Sequence, residues 1–260
     1  MTYNIRYATE SDGENQWEKR KAHLSDQLLF HAPDIFGVQE GLQLQLNFLD
    51  SQLTNYTYLG VGRDDGKIGG EYCAIFYNKT KIDLLEHDTF WLSQTPEMPS
   101  KDWDAAYKRI CTYAHFSDRA TGINFWVFNT HFDHIGDIAR EKSAELIVQK
   151  AEELVQDGEA VFIMGDFNLN ENSKAIRYIS KHYNDARKVS ENSPFGPFGT
   201  FTGFVFHEPV KDRIDYIFCS KDLVKIKKYG VLTDSKQQRY PSDHFPVMIH
   251  AEITDKKIEH

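Results

Sequence analysis

The sequence predicts a layered α/β domain whose sheets are not purely parallel. Two observations point there. Runs rich in aromatic and β-branched residues, each ending in turn chemistry, recur along the whole chain. Helical patterns separate only some of them, so several strands follow one another directly, which disfavours a repeating strand–helix barrel. In order, the strand-like runs begin with 2–7 ("TYNIRY"), 35–39 ("IFGVQ"), 56–61 and 72–77. They continue at 109–115, 125–130 ("FWVFNT"), 161–164 ("VFIM"), 214–219, 225–232 and 247–253. The clearest helix covers 137–156, where Ala144, Ile147, Val148, Ala151, Leu154 and Val155 make one apolar stripe and Gly158 provides a stop. Weaker helical patterns cover 18–30, 42–53 and 173–180.

With 260 residues, 40% of them hydrophobic, the chain can build one large core. No linker, repeat or low-complexity tract divides it, so residues 1–260 are expected to form a single domain. Lys and Arg number 30 against 39 Asp and Glu, a net charge of −9. That balance argues against a general nucleic-acid-binding module, whose footprint is basic, and leaves room for an enzyme with a local basic patch or a bound cation. The basic runs "EKRK" and "KIKK" read as solvated faces. Cys73, Cys111 and Cys219 sit in apolar segments without metal-ligand spacing and are expected as buried free thiols. No apolar run approaches a membrane span and no signal peptide stands out, so a cytoplasmic protein without an integral membrane segment is expected. Met1 falls almost on the first strand, which keeps a removed secretory leader compatible with the sequence.

Polar residues at the ends of apolar strands are the informative feature. In "VFIMGDFNLN", Asp166 and Asn168 follow a buried-looking run and, two residues apart, project to one side of an extended chain. Asn4 alternates against Tyr3 and Ile5. Glu40 ends an apolar strand just before Gly41. Asn129, His131 and Asp133 share a side by the two-residue period. Arg213 and Asp215 do likewise, and Asp243 and His244 lie between Pro241 and Pro246, which stiffen the segment. Each has a plain alternative: an edge amide, a helix cap, a core histidine, an Asp215–Arg213 pair, a turn. Their repetition weighs against all being independent turns, because a core excludes carboxylates unless they are paired or metal-bound. Together they read as one site.

The ordered motifs "TYNIR", "VQE", "NTH", "GDFN", "RIDYIF" and "SDHFPV" resemble the endonuclease/exonuclease/phosphatase superfamily and span residues 2–249. The resemblance implies a four-layer sandwich: two packed mixed β-sheets flanked by helices. It also implies an enzyme using Mg²⁺, with Mn²⁺ as substitute. By position, Glu40 resembles the principal metal ligand, with Asn4 beside it and Asp243 in the metal-binding region. Asp166 and Asn168 resemble the pair that positions water and phosphate. His131 matches the phosphate-contacting histidine, and Asp215 the acid that orients His244. The chemistry suits these residue types, since a hard cation prefers oxygen ligands and metal-assisted in-line attack needs charge stabilisation and alignment.

The expected function is metal-dependent hydrolysis of a phosphodiester, in nucleic acid or a smaller molecule. Alternatives are a phosphomonoesterase, a lipid-headgroup phosphodiesterase, or a non-catalytic binding protein on the same fold. The expected partner is a phosphate-ester substrate, nucleic acid among them, and no protein partner is evident. The Pro-x-Trp-Cys-Asp-Arg element of inositol 5-phosphatases is replaced by "PVKDRIDYI". Candidate substrate contacts are Arg109 on phosphate, Glu71 at a strand mouth, and Phe201 in "TFTGF", each with a packing or edge-charge alternative. Residues 88–110, with Trp91 and Trp103, are a candidate cleft wall or a surface excursion, and "ENSPFGPFGTF" is a candidate lid.

Overall fold

A computed structural model describes residues 1–155 and 158–254. The strands are β1 (Thr2–Asn4), β2 (Ile35–Gln39), β3 (Tyr56–Leu59), β4 (Ile75–Asn78), β5 (Ile82–Trp91), β6 (Ile110–Asp118), β7 (Asn124–His131), β8 (Ala160–Asp166), β9 (Asn184–Asp185), β10 (Asp215–Cys219), β11 (Val224–Val231) and β12 (Val247–Ile253). The helices are α1 (Trp17–His31), α2 (Gln43–Gln52), α3 (Asp137–Leu154) and α4 (Lys174–His182), with a short 3₁₀ segment at Glu10–Asn15. The expected end of the long helix at 156 lies outside the described residues.

The strands form two six-stranded sheets, β11-β12-β1-β2-β4-β3 and β5-β6-β7-β8-β10-β9. Each sheet has one parallel pair, β1–β2 in the first and β7–β8 in the second, inside otherwise antiparallel pairings. Alternating side chains divide the apolar residues between two faces of each sheet. Phe116, Phe125, Val127, Met164, Ile217 and Val247 fill the space between the sheets. Phe128, Phe132 and Phe218 on the far side of the second sheet pack against Ala144, Ile147, Val148 and Ile176 of α3 and α4. Tyr3, Phe36 and Val38 meet Leu24, Leu28, Leu46 and Leu49 of α1 and α2 on the outside of the first. The result is the four-layer sandwich implied by the motif resemblance.

One polar clasp ties the sheets together. The Asn129 amide on β7 donates to Val38 O (3.0 Å) and Ala74 O (2.9 Å) of the other sheet, while Gln39 Nε2 donates to Asn129 Oδ1 at 2.6 Å. Gly37 makes room for it, because a Cβ there would stand 2.5 Å from Asn129 Oδ1.

Two departures from the expected elements have clear causes. The first strand stops at Asn4: Arg6 has φ 56, and the buried Arg20 guanidinium draws the chain away by donating to Ile5 O and Arg6 O, both at 2.6 Å. Strand β5 was not anticipated. It is an edge strand, mostly exposed along Asp83–Thr89, and its charges hide the strand pattern while guarding the open edge. Residues 92–109 form no helix or strand, and Trp91 anchors the start of this stretch by donating to Arg63 O. The three cysteines are buried and unpaired. Among the described residues, no helix is long and apolar enough to cross a membrane.

Candidate active site

The two parallel pairs explain why the polar strand ends meet. β1 and β2 run the same way in one sheet, and β7 and β8 in the other. Asn4 and Glu40 therefore emerge beside His131 and Asp166. β10 runs antiparallel to β8 and contributes its first residue, with Asp215 directly opposite Asp166. The chain crosses to the last position through the loop before β12, where His244 pairs with Phe201 in an isolated bridge. Glu40 and Asn168 take left-handed backbone angles, φ 62 and φ 50, as the strands break into the cleft. Gly165 is equally constrained: at φ 150, a Cβ would lie 2.0 Å from Thr130 O.

Asp166 is the hub. Its Oδ2 accepts from Asn4 Nδ2 at 2.9 Å, lies 3.5 Å from His131 Nε2 and 3.8 Å from His244 Nε2. Its Oδ1 accepts from the Asn168 backbone N–H at 2.9 Å. The Asn4 amide nitrogen also reaches Glu40 Oε1 at 3.1 Å, and its oxygen accepts from Arg6 N. Asn168 Nδ2 donates to Phe132 O and lies 3.0 Å from His131 Nε2, which makes that ring nitrogen the acceptor. His244 Nδ1 lies 2.9 Å from Asp215 Oδ2. Asp215 Oδ1 has no hydrogen-bond partner among the described residues.

Burial and charge push these groups apart. Burial, then the neighbouring Asp215 charge, raises Asp166 to about 7, against the opposing pull of His244 and its hydrogen bonds. Burial disfavours the charged His244 ring, but Asp215, by charge and hydrogen bond, with Asp166 and Asp243, overrides it and holds His244 well above the ordinary range. His131 goes the other way. Burial, then the positive charges of Arg109 and Arg63, hold it well below its usual value. At neutral pH the site therefore contains a charged His244, a neutral His131 and a carboxylate of near-neutral basicity, a separation typical of acid–base assignments.

Four further predicted residues are accounted for by their contacts. Asp243 is buried beside Glu40, and burial with the Glu40 charge raises it, while Arg6 and Arg20 oppose. The Arg6 side chain, held by Asp12, stands 4.0 Å from both Glu40 and Asp243. Phe201 sets its ring edge-on to His244, centroids 5.1 Å apart. Arg109 and Glu71 lie in a second group with residues the sequence did not single out. Glu71 Oε2 accepts from Arg63 Nη1 at 2.6 Å, Arg63 lies over Tyr107, and Tyr107 stacks on His134. Arg63 and His134 sit in irregular segments, where no periodicity could have flagged them. Two residues that shared a motif with the site serve elsewhere. Asp133 accepts backbone N–H groups of Ala106, Tyr107, Ile135 and Gly136 and so shapes the neighbouring loop. Arg213 makes a buried bidentate pair with Asp185 at 2.8 and 2.6 Å, not with Asp215.

The donor chemistry fits a divalent cation. Asp166, Asp215 and His244 offer atoms all within 4.8 Å of one another, a spacing that could hold a metal only with the His244 ring deprotonated. Glu40 and Asp243 add a second pair of hard oxygen donors whose mutual repulsion a cation would relieve.

Buried carboxylates and imidazoles thus gather at one end of a two-sheet sandwich. The profile of the Endonuclease/Exonuclease/phosphatase family matches residues 1–244, and the chain belongs to that family. Among solved structures it is similar to a mannosyl-6-phosphatase of Bacteroides thetaiotaomicron, with 39% identity and a TM-score of 0.92 over 97% of this chain and 98% of the other. The human Nocturnin catalytic domain, with bound sulfate, shares the fold at 20% identity and a TM-score of 0.77, covering 97% and 92% of the two chains. The Ccr4 3'-5'-exoribonuclease subunit of Emericella nidulans is 24% identical across 93% of this chain, which spans only 48% of that protein's length.

Proposed function

We propose that this protein is a Mg²⁺-dependent phosphoesterase, with Mn²⁺ as a substitute, acting on the terminal phosphate of a small hydroxyl-rich molecule such as a sugar phosphate. The observation that carries the reaction class is the Asp166 hub, with its near-neutral basicity beside a charged His244 and a neutral His131. The similarity to a mannosyl-6-phosphatase supports the substrate class, as does a chain too acidic to track a long polynucleotide.

Glu40, Asp243 and Asn4 would hold the cation, which when bound supplies Lewis-acid stabilisation of charge on the phosphoryl oxygens. Asp166 accepts the proton of the attacking water through Oδ2. Asn168 holds Asp166 from the backbone and turns its side-chain amide to His131, and this pair contacts the phosphate. The charged His244, steadied by Asp215 at 2.9 Å, faces Asp166 and stabilises the negative charge that builds in the transition state. Phosphodiester hydrolysis is the second reading, favoured by Phe201 on the rim beside His244, where an aromatic ring could stack on a base.

The test is release of inorganic phosphate from hexose 6-phosphates, alongside poly(A) RNA and a simple diester, with Mg²⁺, Mn²⁺ or EDTA. Metal-dependent phosphate release, lost in Asp166→Asn, is the expected result. Cleavage of the RNA or the diester with no phosphate released from any monoester would overturn the substrate reading.

A further inference from the structure

Arg109 is only 6% exposed, yet its Nε and Nη1 have no hydrogen-bond partner among the described residues. Nη2 makes one long contact, 3.4 Å to His134 Nδ1, and Nε stands 3.7 Å from Asp133 Oδ2. Asp133 does not satisfy these donors, because both of its oxygens already accept backbone N–H groups. Arg63 stands on the same wall. It commits Nη1 to Glu71 and leaves its own Nε unpartnered. Leaving a guanidinium dry and short of acceptors is costly, so such donors are the mark of a group that an anion completes.

Their location indicates the anion. Continuing the β6–β7 register two residues beyond Cys111 opposite Thr130 brings Arg109 opposite Phe132, next to His131. The charges of Arg109 and Arg63 both act on the His131 ring. Resting on the phosphoesterase reading above, we propose that Arg109, assisted by Arg63, is an anion subsite for the non-bridging oxygen found only on a terminal phosphate, and that it selects monoesters over diesters. A terminal phosphate carries three strong acceptor oxygens and, near neutral pH, close to two negative charges. In a diester one of those oxygens becomes an ester oxygen that carries a second carbon group and no charge. At 6% exposure, Arg109 is reached more readily by a bare oxygen than by that bulk.

The test uses two independent readings on the wild type, Arg109→Gln, Arg109→Lys and Arg63→Gln. One is binding of inorganic phosphate by calorimetry with Mg²⁺ present. The other is the ratio of kcat/KM for p-nitrophenyl phosphate to that for bis(p-nitrophenyl) phosphate. Arg109→Gln should weaken phosphate binding by about ten- to a hundredfold, the worth of a charge-assisted hydrogen bond, and lower the ratio by a similar factor. Arg63→Gln should move both the same way by less, and Arg109→Lys should fall between wild type and Arg109→Gln, keeping the charge but not the planar fork. If Arg109→Gln fails to fold, judged by its Tm, Arg63→Gln and Arg109→Lys decide by the same readings. Phosphate affinity and ratio within twofold of wild type would overturn the subsite, as would a wild-type preference for the diester. A wild type that hydrolyses neither ester would refute the phosphoesterase reading for these substrates, while calorimetry would still decide whether Arg109 binds phosphate.

Discussion

Replacing Asp215 by Asn removes one charge and almost no volume, and its effect can be worked from the geometry. Asp215 Oδ2 and His244 Nδ1 are 2.9 Å apart, and both side chains are almost wholly buried. At an effective dielectric of ~20, opposite charges at that separation attract by about 6 kcal/mol. The asparagine oxygen keeps a neutral hydrogen bond worth about 1 kcal/mol, leaving a net loss of about 5 kcal/mol. At 1.36 kcal/mol per unit, the His244 pKa should fall by about three to four units. Burial, which already opposes the charged ring, is then countered only by the Asp166 and Asp243 charges, and the His244 pKa falls back toward its ordinary range. Loss of positive charge beside Asp166 should reduce kcat by about 10²–10³-fold, the worth of one donor that stabilises transition-state charge. The assay is a pH titration of the His244 ring by NMR in both proteins, run beside kcat and KM for whichever substrate the phosphate-release test identifies. A His244 pKa within about one unit of wild type in Asp215→Asn, or a kcat within threefold of wild type, would refute the electrostatic argument.

Two other substitutions test the same physics. Asp166→Asn should abolish turnover yet stabilise the metal-free protein at pH 8. A carboxyl whose folded pKa is raised from 3.8 to about 7 contributes its stability at low pH and loses it as pH rises through 7. The Tm advantage of the variant in EDTA should therefore shrink between pH 8 and pH 4, and a gap that is flat with pH would contradict the raised carboxyl. Asn129→Leu should destabilise the sandwich, since it deletes three buried hydrogen bonds at about 0.5–1.5 kcal/mol each, or about 1.5–4.5 kcal/mol. At ~2–4 °C per kcal/mol for a domain of this size, thermal melts should show a Tm lower by about 3–18 °C, and a shift below 1 °C would rule out the clasp.

The sequence by itself determined the layered α/β class, most of the strands and the cluster of polar strand ends. These are local signals. Alternation decides which side of a strand is apolar, and a carboxylate or imidazole behind a buried run advertises itself because burial without a partner is too costly. Asp166, Asn168, His131, Asp215 and His244 were legible for that reason, and so was the helix that begins at Asp137. The same rules were silent on the edge strand β5, whose charged residues face solvent, and on Arg63 and His134, which lie in irregular segments. Partner choice was the other blind spot. Arg213 and Asp215 are two residues apart, but a shared side of a strand says nothing about what stands across from it. Tertiary packing gave Arg213 to Asp185 and Asp215 to His244. It likewise turned Asn129 from a motif neighbour of His131 into a clasp between sheets, because its amide meets carbonyls of residues 38 and 74, far away in the chain. Burial, and with it the opposite displacement of the two histidines, depends on how the sheets stack, and that information resides in contacts between distant segments.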